Sequence, residues 1–538
     1  MGVPRPRAGA ADEGAGPRAP DRGRRAAGPG GEEEVRLFEV ADRDPDRVAL
    51  RDDRRERGFG ELVGRIHRLA RLLRDELGLR PGDPAAFLLG NRIEALELTH
   101  AAVLAGIWLT PVNRHLREGE IAYVLRDSGA RIVFADDGHA DRARAAGAPR
   151  VLRVGEELDG ALAAVSGEPW PLSGPAGGVM VYTSGTTGRP KGVRRARPGN
   201  AGEAFEAQAR AGAAVGLDGS GPHLVTGPVY HAAPLLFAVY DQLNGAPVRV
   251  MPRFDERALL RHLAEEGVHH THLVPTMFVR LLRLPEEERL GFRAPELHHV
   301  LHGAAPIAPA VKREMIAWWG PILVEYWGGS EGGVTTLVDS REWLARPGTV
   351  GRPLPHYEVF AVGEDGERLP PGEVGLLYSR HRALSRPFEY HGAPEKTRSA
   401  YRSDGSFTLG DVGSVDGEGY VFLADRASHT IISGGVNIYP AEIEAVLQEH
   451  PAVGDVAVFG VPDGEWGETV VAAVEPAPDA VPGETLARAL LDFARGRLAG
   501  YKVPRRIEFH PTLPRTPVGK IELRALRDPH WRGRARRI

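Results

Sequence analysis

The stretch that decides how this chain is interpreted is Val181-Tyr182-Thr183-Ser184-Gly185-Thr186-Thr187-Gly188-Arg189-Pro190-Lys191-Gly192. Its glycines let backbone N–H groups approach an anion closely, and its hydroxyls and lysine add further donors. Donors this dense, placed after an apolar strand, favour a phosphate-binding loop over a flexible surface loop. A Walker A loop needs Gly-Lys-Ser/Thr leading into a helix, whereas Pro190 precedes this lysine and Gly192 follows it. The sequence therefore predicts a phosphate loop of a different kind.

Helix and strand patterns alternate on both sides of this loop. An amphipathic helix ended by Gly78 is predicted by apolar residues at spacings of three and four, namely Leu62, Ile66, Leu69, Leu73 and Leu77. Residues Ala85 to Leu89 predict a buried strand. An Asp365-Gly366 turn between Tyr357–Val362 and Gly375–Tyr378 predicts a hairpin. Such alternation is typical of an α/β protein.

The pattern changes near residue 425. From Ala441 onward it predicts helix, strand, strand, helix and strand, followed by a Pro-rich segment. The predicted fold class is α/β, with a large multi-subdomain α/β N-terminal body and a small α+β C-terminal domain. We expect a disordered extension over residues 1–32, the N-terminal body over 33–424, a hinge over 425–428 and a mobile C-terminal domain over 429–538.

Composition excludes several kinds of chemistry. The chain has 538 residues and no cysteine, so disulfides, thiolate metal sites and an enzyme-bound thioester are excluded. Its net charge is −4, so nucleic acid is not an expected partner. The sequence contains no run of 18 apolar residues, so no membrane span is predicted. The first residues lack the apolar core of a secretory signal, which favours a cytoplasmic protein, and a basic transit peptide is the alternative. The Arg-rich residues Trp531 to Ile538 predict a solvated tail or, alternatively, a contact with acidic membrane.

The loop resembles the signature loop of the adenylate-forming (AMP-binding) superfamily, which includes acyl- and aryl-CoA synthetases, luciferases and peptide-synthetase adenylation domains. The resemblance extends from about residue 35 to 525, with the motifs in the family's order, and the chain looks most like bacterial fatty-acyl-type acyl-CoA synthetases. In that family the loop holds the β- and γ-phosphates of ATP. The resemblance therefore implies ATP binding by Thr183, Ser184, Gly185, Thr186, Thr187, Gly188 and Lys191.

Further motifs resemble the rest of the family's nucleotide site. Gly303, Ala304 and Ala305 are similar to the turn that lies along adenine, and Glu331 is similar to the carboxylate that helps to hold Mg²⁺. In the segment before Glu331, Trp327 occupies the usual position of the adenine-stacking tyrosine and Ser330 that of a threonine. The resemblance also implies nucleotide contacts by Tyr326, Gly328, Asp411 at the ribose and Arg426.

The acyl pocket is predicted at Gly227-Pro228-Val229-Tyr230-His231, where His231 resembles the family's residue beside the acyl carboxylate. Relatives that activate α-amino acids carry an aspartate directly after this position, to pair with the ammonium. This chain has Ala232 there, followed by further small and apolar residues. An ammonium group would be buried without a partner, so we expect a pocket for uncharged, apolar acids.

The C-terminal motifs imply a domain that serves both half-reactions. Ser433, Gly434 and Gly435 resemble the loop that meets the pantetheine arm of CoA. Lys520 resembles the lysine that reaches the carboxylate and the α-phosphate, and it is one of only five lysines among 68 basic residues. The hinge departs from the family pattern, because Ser428 and His429 stand where an aspartate or lysine and another acid are common.

The implied reaction is activation of a carboxylic acid by ATP and Mg²⁺ to an acyl-adenylate, catalysed by Lys520, Glu331 and His231, followed by transfer to the thiol of CoA. The chain ends soon after Lys520 without a carrier module, so we expect a freestanding ligase, with a homodimer as one possible assembly. Two alternatives remain. One is a ligase that passes the acyl group to a carrier protein, an amine or another acceptor, and the other is a degenerate nucleotide-binding regulator.

Overall fold

The structure is a computed structural model. It describes residues 35–183, 190–197, 199–305, 307–426, 429, 431–433, 436–438, 440–463, 466–498, 500–515 and 521–532. The predicted extension over residues 1–32 lies outside the described residues.

The helices of the described residues are numbered in chain order. They are α1 Arg36–Arg43, α2 Phe59–Arg71, α3 Glu94–Ala105, α4 Glu118–Ser128, α5 Ala140–Ala145, α6 Glu156–Ala163, α7 Ala201–Ala214, α8 Ala232–Leu243, α9 Glu256–Glu265, α10 Pro275–Leu282, α11 Glu286–Gly291, α12 Pro309–Trp319, α13 Ser340–Ala345, α14 Pro394–Ser399, α15 Pro440–Gln448, α16 Glu484–Arg495 and α17 Leu523–Arg527.

The strands are numbered in the same way. They are β1 Val48–Arg51, β2 Glu56–Gly58, β3 Pro84–Leu88, β4 Trp108–Pro111, β5 Val133–Ala135, β6 Val151–Arg153, β7 Gly178–Thr183, β8 Lys191–Arg195, β9 His223–Val225, β10 Val248–Val250, β11 His270–Leu273, β12 His299–His302, β13 Leu323–Gly329, β14 Gly333–Asp339, β15 Thr349–Pro353, β16 Tyr357–Val362, β17 Gly375–His381, β18 Phe388–Tyr390, β19 Phe407–Val415, β20 Val421–Arg426, β21 Ile431–Ser433, β22 Val436–Ile438, β23 Val453–Asp463, β24 Gly467–Pro476 and β25 Arg506–Phe509.

The first large sheet carries the predicted phosphate loop. Its strand order is β18-β8-β7-β4-β3-β5-β6, and β7, β4, β3, β5 and β6 run parallel. The chain goes from β3 through α3 to β4 on one side, then through α4 to β5 on the other. Beyond this parallel core, β8 and β18 are added antiparallel at the edge.

The second large sheet carries most of the other predicted site residues. Its order is β16-β17-β19-β20-β15-β14-β13-β12-β11-β9-β10-β1-β2. The chain goes from β9 through α8 to β10, then through α9 to β11 on the opposite side of β9. The winding therefore reverses between β9 and β11, and ligands of open α/β sheets bind beyond the carboxyl ends of the strands at such a point. His231 lies in the connection from β9 to α8, directly before the helix.

One buried helix joins the two sheets. Every residue of α3, from Glu94 to Ala105, is buried. The same apolar core contains residues from β3 and β4 of the first sheet and from β9 and β10 of the second. This packing explains why α3 has no polar face, since no side of it meets water. Its polar side chains are buried with partners, as in the hydrogen bonds of Glu94 with Arg92, Glu97 with Arg65 and His100 with Gln242.

A third, smaller sheet lies in the C-terminal part of the chain, in the order β22-β21-β24-β23, with β25 parallel to β24. Helices α15 and α16 pack on it through Ile443, Leu447, Leu490 and Ala494. The predicted α/β fold class, with a large N-terminal body and a small α+β C-terminal part, is confirmed. The domain and hinge boundaries stay predictions.

Most of the local predictions agree with the structure. The predicted helix forms as α2 and a further helical turn over Leu72–Glu76, and it ends at Gly78, whose φ is 67°. The hairpin forms between β16 and β17. The expectation of a solvated tail from Trp531 was wrong at its first residue, because the Trp531 indole donates a hydrogen bond to the Gly460 carbonyl at 3.1 Å. No helix among the described residues is long and apolar enough to cross a membrane.

Candidate active site

The two ends of the phosphate loop lie on neighbouring strands. Thr183 at the end of β7 pairs with Lys191 at the start of β8. Ser184, Gly185, Thr186, Thr187 and Gly188 lie outside the described residues, so their predicted part in phosphate binding stays a prediction. The register nevertheless places a hydroxyl and an ammonium group side by side where the loop begins and ends.

Helix α4 contacts both ends of this loop. Tyr123 Oη donates a hydrogen bond to the Pro190 carbonyl at 2.9 Å. One turn further along the same face of the helix, Asp127 Oδ2 accepts a hydrogen bond from Tyr182 Oη at 2.7 Å. Because the two α4 residues are four positions apart, one helix face holds the residue before Thr183 and the residue before Lys191.

Glu331 lies in the turn between β13 and β14, which pair antiparallel at Gly329 and Gly333. Its Oε1 accepts a hydrogen bond from Tyr390 Oη at 3.1 Å. Lys191 Nζ lies 5.8 Å from the centre of the Tyr390 ring. Burial and the adjacent Glu331 carboxylate both raise the pKa of Tyr390, which therefore stays a hydrogen-bond donor. The predicted phosphate lysine and the predicted metal carboxylate thus contact the same aromatic side chain.

The donor set at Glu331 fits Mg²⁺ that arrives with a nucleotide. Mg²⁺ usually takes one or two protein carboxylates and completes its shell with phosphate oxygens and water. Glu331 Oε2 accepts no hydrogen bond from any described residue, and Glu331 is only partly buried. The described residues contain no group of three or more His, Cys, Asp and Glu side chains that could hold a metal ion by themselves.

The turn after β12 has an unusual backbone. Ala304 has a φ of 63°, in the left-handed region that residues other than glycine rarely adopt. At Gly303, a Cβ atom would lie 2.6 Å from the Tyr326 carbonyl oxygen and 2.8 Å from its ring. A glycine is therefore required for this turn to lie against β13. The half-buried Ala305 follows. The three residues predicted to contact adenine therefore form the turn directly after β12, and its first residue lies against Tyr326.

Trp327 and Asp411 form a buried pair. The indole Nε1 donates to Asp411 Oδ2 at 2.8 Å, and the two residues are 6% and 7% exposed. Asp411 pairs across β19 and β20 with Arg426, whose side chain lies outside the described residues. Gly328 and Ser330 are half-buried and lie beside this pair on β13 and in the turn that follows it. The structure therefore brings together the predicted adenine and ribose contacts.

Tyr326 lies on the other face of β13 from Trp327. Its ring packs 5.3 Å from that of Phe237, and its Oη lies 3.2 Å from His272 Nε2. Burial lowers the pKa of His272 to about 3 and raises that of Tyr326, so neither group is charged near neutral pH. Tyr326 thus contributes to an uncharged wall beside α8, and its predicted nucleotide contact stays a prediction.

His231 is the residue before α8, and its ring lies 4.6 Å from the ring of Tyr230. The first turn of α8 carries no acidic residue. Ala233 and Phe237, one turn apart on α8, pack in the same apolar cluster as Tyr326 and Val334. An apolar surface therefore extends from His231 along one face of α8, which agrees with the absence of an ammonium partner in the sequence.

Part of the predicted C-terminal site lies outside the described residues, namely Ser428, Gly434, Gly435 and Lys520. Ser433 is described, and it pairs with Gly467 at the start of β24. The neighbouring Trp466 is 47% exposed. The predicted roles in the hinge, in CoA binding and in catalysis stay predictions for these positions.

Sequence reasoning missed Tyr390. No local motif distinguishes this tyrosine, since it lies on a short strand of three residues. Its role depends on the pairing of β18 with β8, which brings Tyr390 next to Val193 and hence close to Lys191. A contact made by strands so far apart in the chain leaves no signal in the spacing of residues.

Two family models match this chain. The family model described as AMP-binding enzyme matches residues 37–388, and that described as AMP-binding enzyme C-terminal domain matches residues 442–520. Feruloyl-CoA synthase from Amycolatopsis sp is 36% identical over 486 residues, which cover 89% of this chain and 94% of that protein. The fatty acid–[acyl-carrier-protein] ligase ScoC from Streptomyces coeruleorubidus is 32% identical over 513 residues, covering 93% and 96%.

A solved structure has a similar fold. ATP-bound MatB from Rhodopseudomonas palustris superposes with a TM-score of 0.81 at 29% identity, covering 93% of this chain and 98% of that one. The chain belongs to the AMP-binding enzyme family.

Proposed function

We propose that this protein is an AMP-forming acid–thiol ligase that activates an apolar carboxylic acid with ATP, releases pyrophosphate and transfers the acyl group to the thiol of CoA. The observation that supports this most directly is the contact of Lys191 and Glu331 with one side chain, Tyr390. An ammonium group and a carboxylate on either side of one tyrosine, with the lysine directly after a glycine-rich sequence, suit a Mg²⁺-bound polyphosphate.

The proposed chemistry takes place in two displacements. A carboxylate oxygen of the acid attacks the α-phosphorus of ATP, the bond to the bridging oxygen breaks, and pyrophosphate leaves. This step needs stabilisation of charge more than proton transfer, and Lys191 and Lys520 would supply it together with the donors of the loop. The metal that comes with ATP would neutralise phosphate charge and be held by Glu331. The thiol then attacks the acyl carbonyl, loses its proton, and AMP leaves.

The proposed substrate is an uncharged acid with a compact apolar or aromatic body. The surface along α8 supports this proposal, because the small Ala233 lies two residues after His231 and the larger Phe237 one turn further along, in the same apolar cluster. Behind Phe237 lie Tyr326 and His272, with ring centres 5.3 and 5.4 Å away. A long alkyl chain following this face of α8 would meet that aromatic group.

The relatives are named for different acyl acceptors. Feruloyl-CoA synthase is named for CoA, whereas ScoC is named for an acyl carrier protein. The exposed Trp466 beside Ser433 favours a small nucleotide-bearing thiol, since an indole can stack on a purine. We therefore propose CoA, with carrier-protein, amine or other acceptors as the alternative.

One assay tests both adenylation of the acid and transfer of the acyl group to CoA. Purified protein is mixed with MgATP and a panel of short, long and aromatic acids, and pyrophosphate and AMP are measured with and without CoA. We expect pyrophosphate release with at least one aromatic or short acid, and AMP release and a thioester only when CoA is added. No pyrophosphate with any acid would contradict adenylation. Pyrophosphate without a thioester would point to the alternative acceptor.

Two further proposals concern the protein in the cell. A cytoplasmic location is expected for an enzyme that uses ATP and CoA, and cell fractionation tests it. A homodimer is proposed as the assembly, and sedimentation of the purified protein tests it.

A further inference from the structure

The turn that carries Glu331 is held by side chains from two distant strands. Arg195, the last residue of β8, donates from Nε to the Ser330 carbonyl at 2.9 Å and from Nη2 to the Gly329 carbonyl at 3.3 Å. Tyr357, the first residue of β16, donates from Oη to the Gly332 carbonyl at 2.6 Å. Three carbonyls on both sides of Glu331, those of Gly329, Ser330 and Gly332, therefore accept hydrogen bonds from side chains of other strands.

The geometry of the turn depends on these contacts. Gly333 has a φ of 76°, and a Cβ atom there would lie 3.1 Å from Arg195 Nη1. The guanidinium group therefore packs directly over the backbone where β14 begins. Tyr357 is 3% exposed, and burial raises its pKa to about 12, so its hydroxyl remains a donor at any pH at which the enzyme would work.

Arg195 has the chemistry for this task. A guanidinium group presents N–H donors on separate nitrogens in a rigid plane, so it can bind two neighbouring carbonyls in a fixed geometry, which the single nitrogen of a lysine does not provide. Among the described residues Arg195 forms no salt bridge, and its charge is directed at the turn. The same strand begins at Lys191, so β8 connects the phosphate lysine to the backbone under Glu331.

We infer that Arg195 and Tyr357 are positioning residues that fix the Glu331 turn in the orientation required to bind the Mg²⁺ of MgATP. The inference rests on the proposed function, because it takes Glu331 as the group that contacts the metal. Neither residue needs to touch the substrate. Each acts through the backbone of residues 329–332.

Binding of MgATP, measured by calorimetry on the full chain, tests the inference without requiring turnover. Arg195→Met keeps the apolar stem and removes the donors, so we expect binding of MgATP about tenfold weaker, as for the loss of a charged hydrogen bond. Binding of ATP in excess chelator should change little. Arg195→Lys should not restore binding fully, since a single nitrogen cannot reproduce the spacing of the two guanidinium donors. Tyr357→Phe should show a smaller loss of the same kind.

The decisive comparison is a double-mutant cycle with Glu331→Gln. If Arg195 acts through Glu331, Arg195→Met should weaken MgATP binding far less in the Glu331→Gln background than in the wild type. The matched control is Arg194→Met, on the same strand, because Arg194 lies over the Trp108 ring at 4.8 Å and not at the turn. This control should bind MgATP as the wild type does.

Three outcomes would overturn the inference. These are equal losses with and without Mg²⁺, additive losses in the double mutant, and a loss in Arg194→Met as large as in Arg195→Met. The proposed function would instead be contradicted if the wild-type chain bound MgATP but released no pyrophosphate with any acid. The double-mutant cycle on MgATP binding would still test the inference in that case. A wild-type chain that does not bind MgATP would overturn both.

Discussion

The indole of Trp327 donates a hydrogen bond to the carboxylate of Asp411 at 2.8 Å, and both residues are almost fully buried. A buried carboxylate is costly unless it accepts hydrogen bonds. The indole supplies one of them and so fixes the orientation of the carboxylate that the family resemblance assigns to the ribose hydroxyls. A tryptophan at this position therefore does more than replace the ring of a tyrosine, because a tyrosine has no donor on the same part of its ring system.

Replacement of Trp327 by phenylalanine tests this role. Trp327→Phe keeps an aromatic ring for adenine and removes the donor to Asp411, so we expect KM for ATP to rise about tenfold while KM for the acid stays nearly constant. Steady-state kinetics with each substrate varied in turn measure the effect. Trp318→Phe is the control, since its indole donates to the Arg289 carbonyl on another part of the surface. A rise of both KM values together would contradict the assignment.

The sequence predicted the backbone of the site better than its side-chain contacts. Glycine-rich motifs and helix periodicity are local, and they located the loop between β7 and β8, the turn after β12 and the helix, strand, strand, helix, strand order after residue 440. Tyr390, Arg195 and Tyr357 were missed, because each is identified only by its contact with a turn that is distant in the chain. Asp411 and Trp327 were both named, yet their hydrogen bond depends on the packing of β13 against β19, which no spacing indicates.

Glu331→Gln should weaken adenylation on the order of 10²-fold, similar to the loss of one preorganised electrostatic group. The change removes the charge from the proposed metal site and conserves the volume of the side chain. An amide oxygen can still accept the hydrogen bond from Tyr390, so the thermal unfolding temperature should hardly change. Single-turnover release of pyrophosphate over a range of Mg²⁺ concentrations measures the effect. Wild-type rates at limiting Mg²⁺ would show that Glu331 does not contact the metal.

Phe237→Ala should extend the acyl pocket. Phe237 is buried against Tyr326 and His272, so its removal opens space along α8 beyond Ala233. We expect kcat/KM to rise for longer apolar acids and to fall or stay level for the compact acid that the wild type prefers. Competition between short and long acids in one reaction measures the shift. An unchanged ratio of the two kcat/KM values would place the acyl group elsewhere.

The same pocket should discriminate against charged substrates. We expect kcat/KM for any α-amino acid to lie below that for the matched acid without the amino group, because the first turn of α8 offers no carboxylate. An amino acid that exceeds every matched unsubstituted acid would contradict this interpretation.

Stability should fall in mild acid because of buried neutral histidines. Burial lowers the pKa of His100 to about 4, and its imidazole hydrogen-bonds Gln242 at 2.9 Å. The unfolded chain, whose histidines titrate near 6.5, then binds more protons than the folded one between these values. The stabilisation is thus complete above pH 6.5 and is lost as the pH falls toward 4, at up to about 1.4 kcal/mol per pH unit for one such group.

Replacing His100 should reduce that dependence. In His100→Gln, roughly one proton fewer should be taken up on unfolding between pH 6.5 and 4. The slope of the free energy of unfolding against pH should be smaller in that range. Denaturant unfolding at several pH values measures the slope. Equal slopes in wild type and His100→Gln would mean that His100 accepts a proton in the folded protein as readily as in the unfolded one.

The last prediction separates the two half-reactions. By resemblance, Lys520 and Gly435 belong to one C-terminal domain but serve different steps, because that domain presents a different face for each. Lys520→Ala should slow adenylation, since it removes a positive charge at the α-phosphate, and should spare thioester formation from supplied acyl-AMP. Gly435→Leu should do the reverse, since a branched side chain would block close approach of the pantetheine arm. Two assays per variant are needed, one for pyrophosphate release in a single turnover and one for thioester formation from synthetic acyl-AMP. If both folded variants lose both activities equally, one orientation of the domain serves both steps. If Gly435→Leu forms the thioester normally, the loop at Gly435 does not contact CoA.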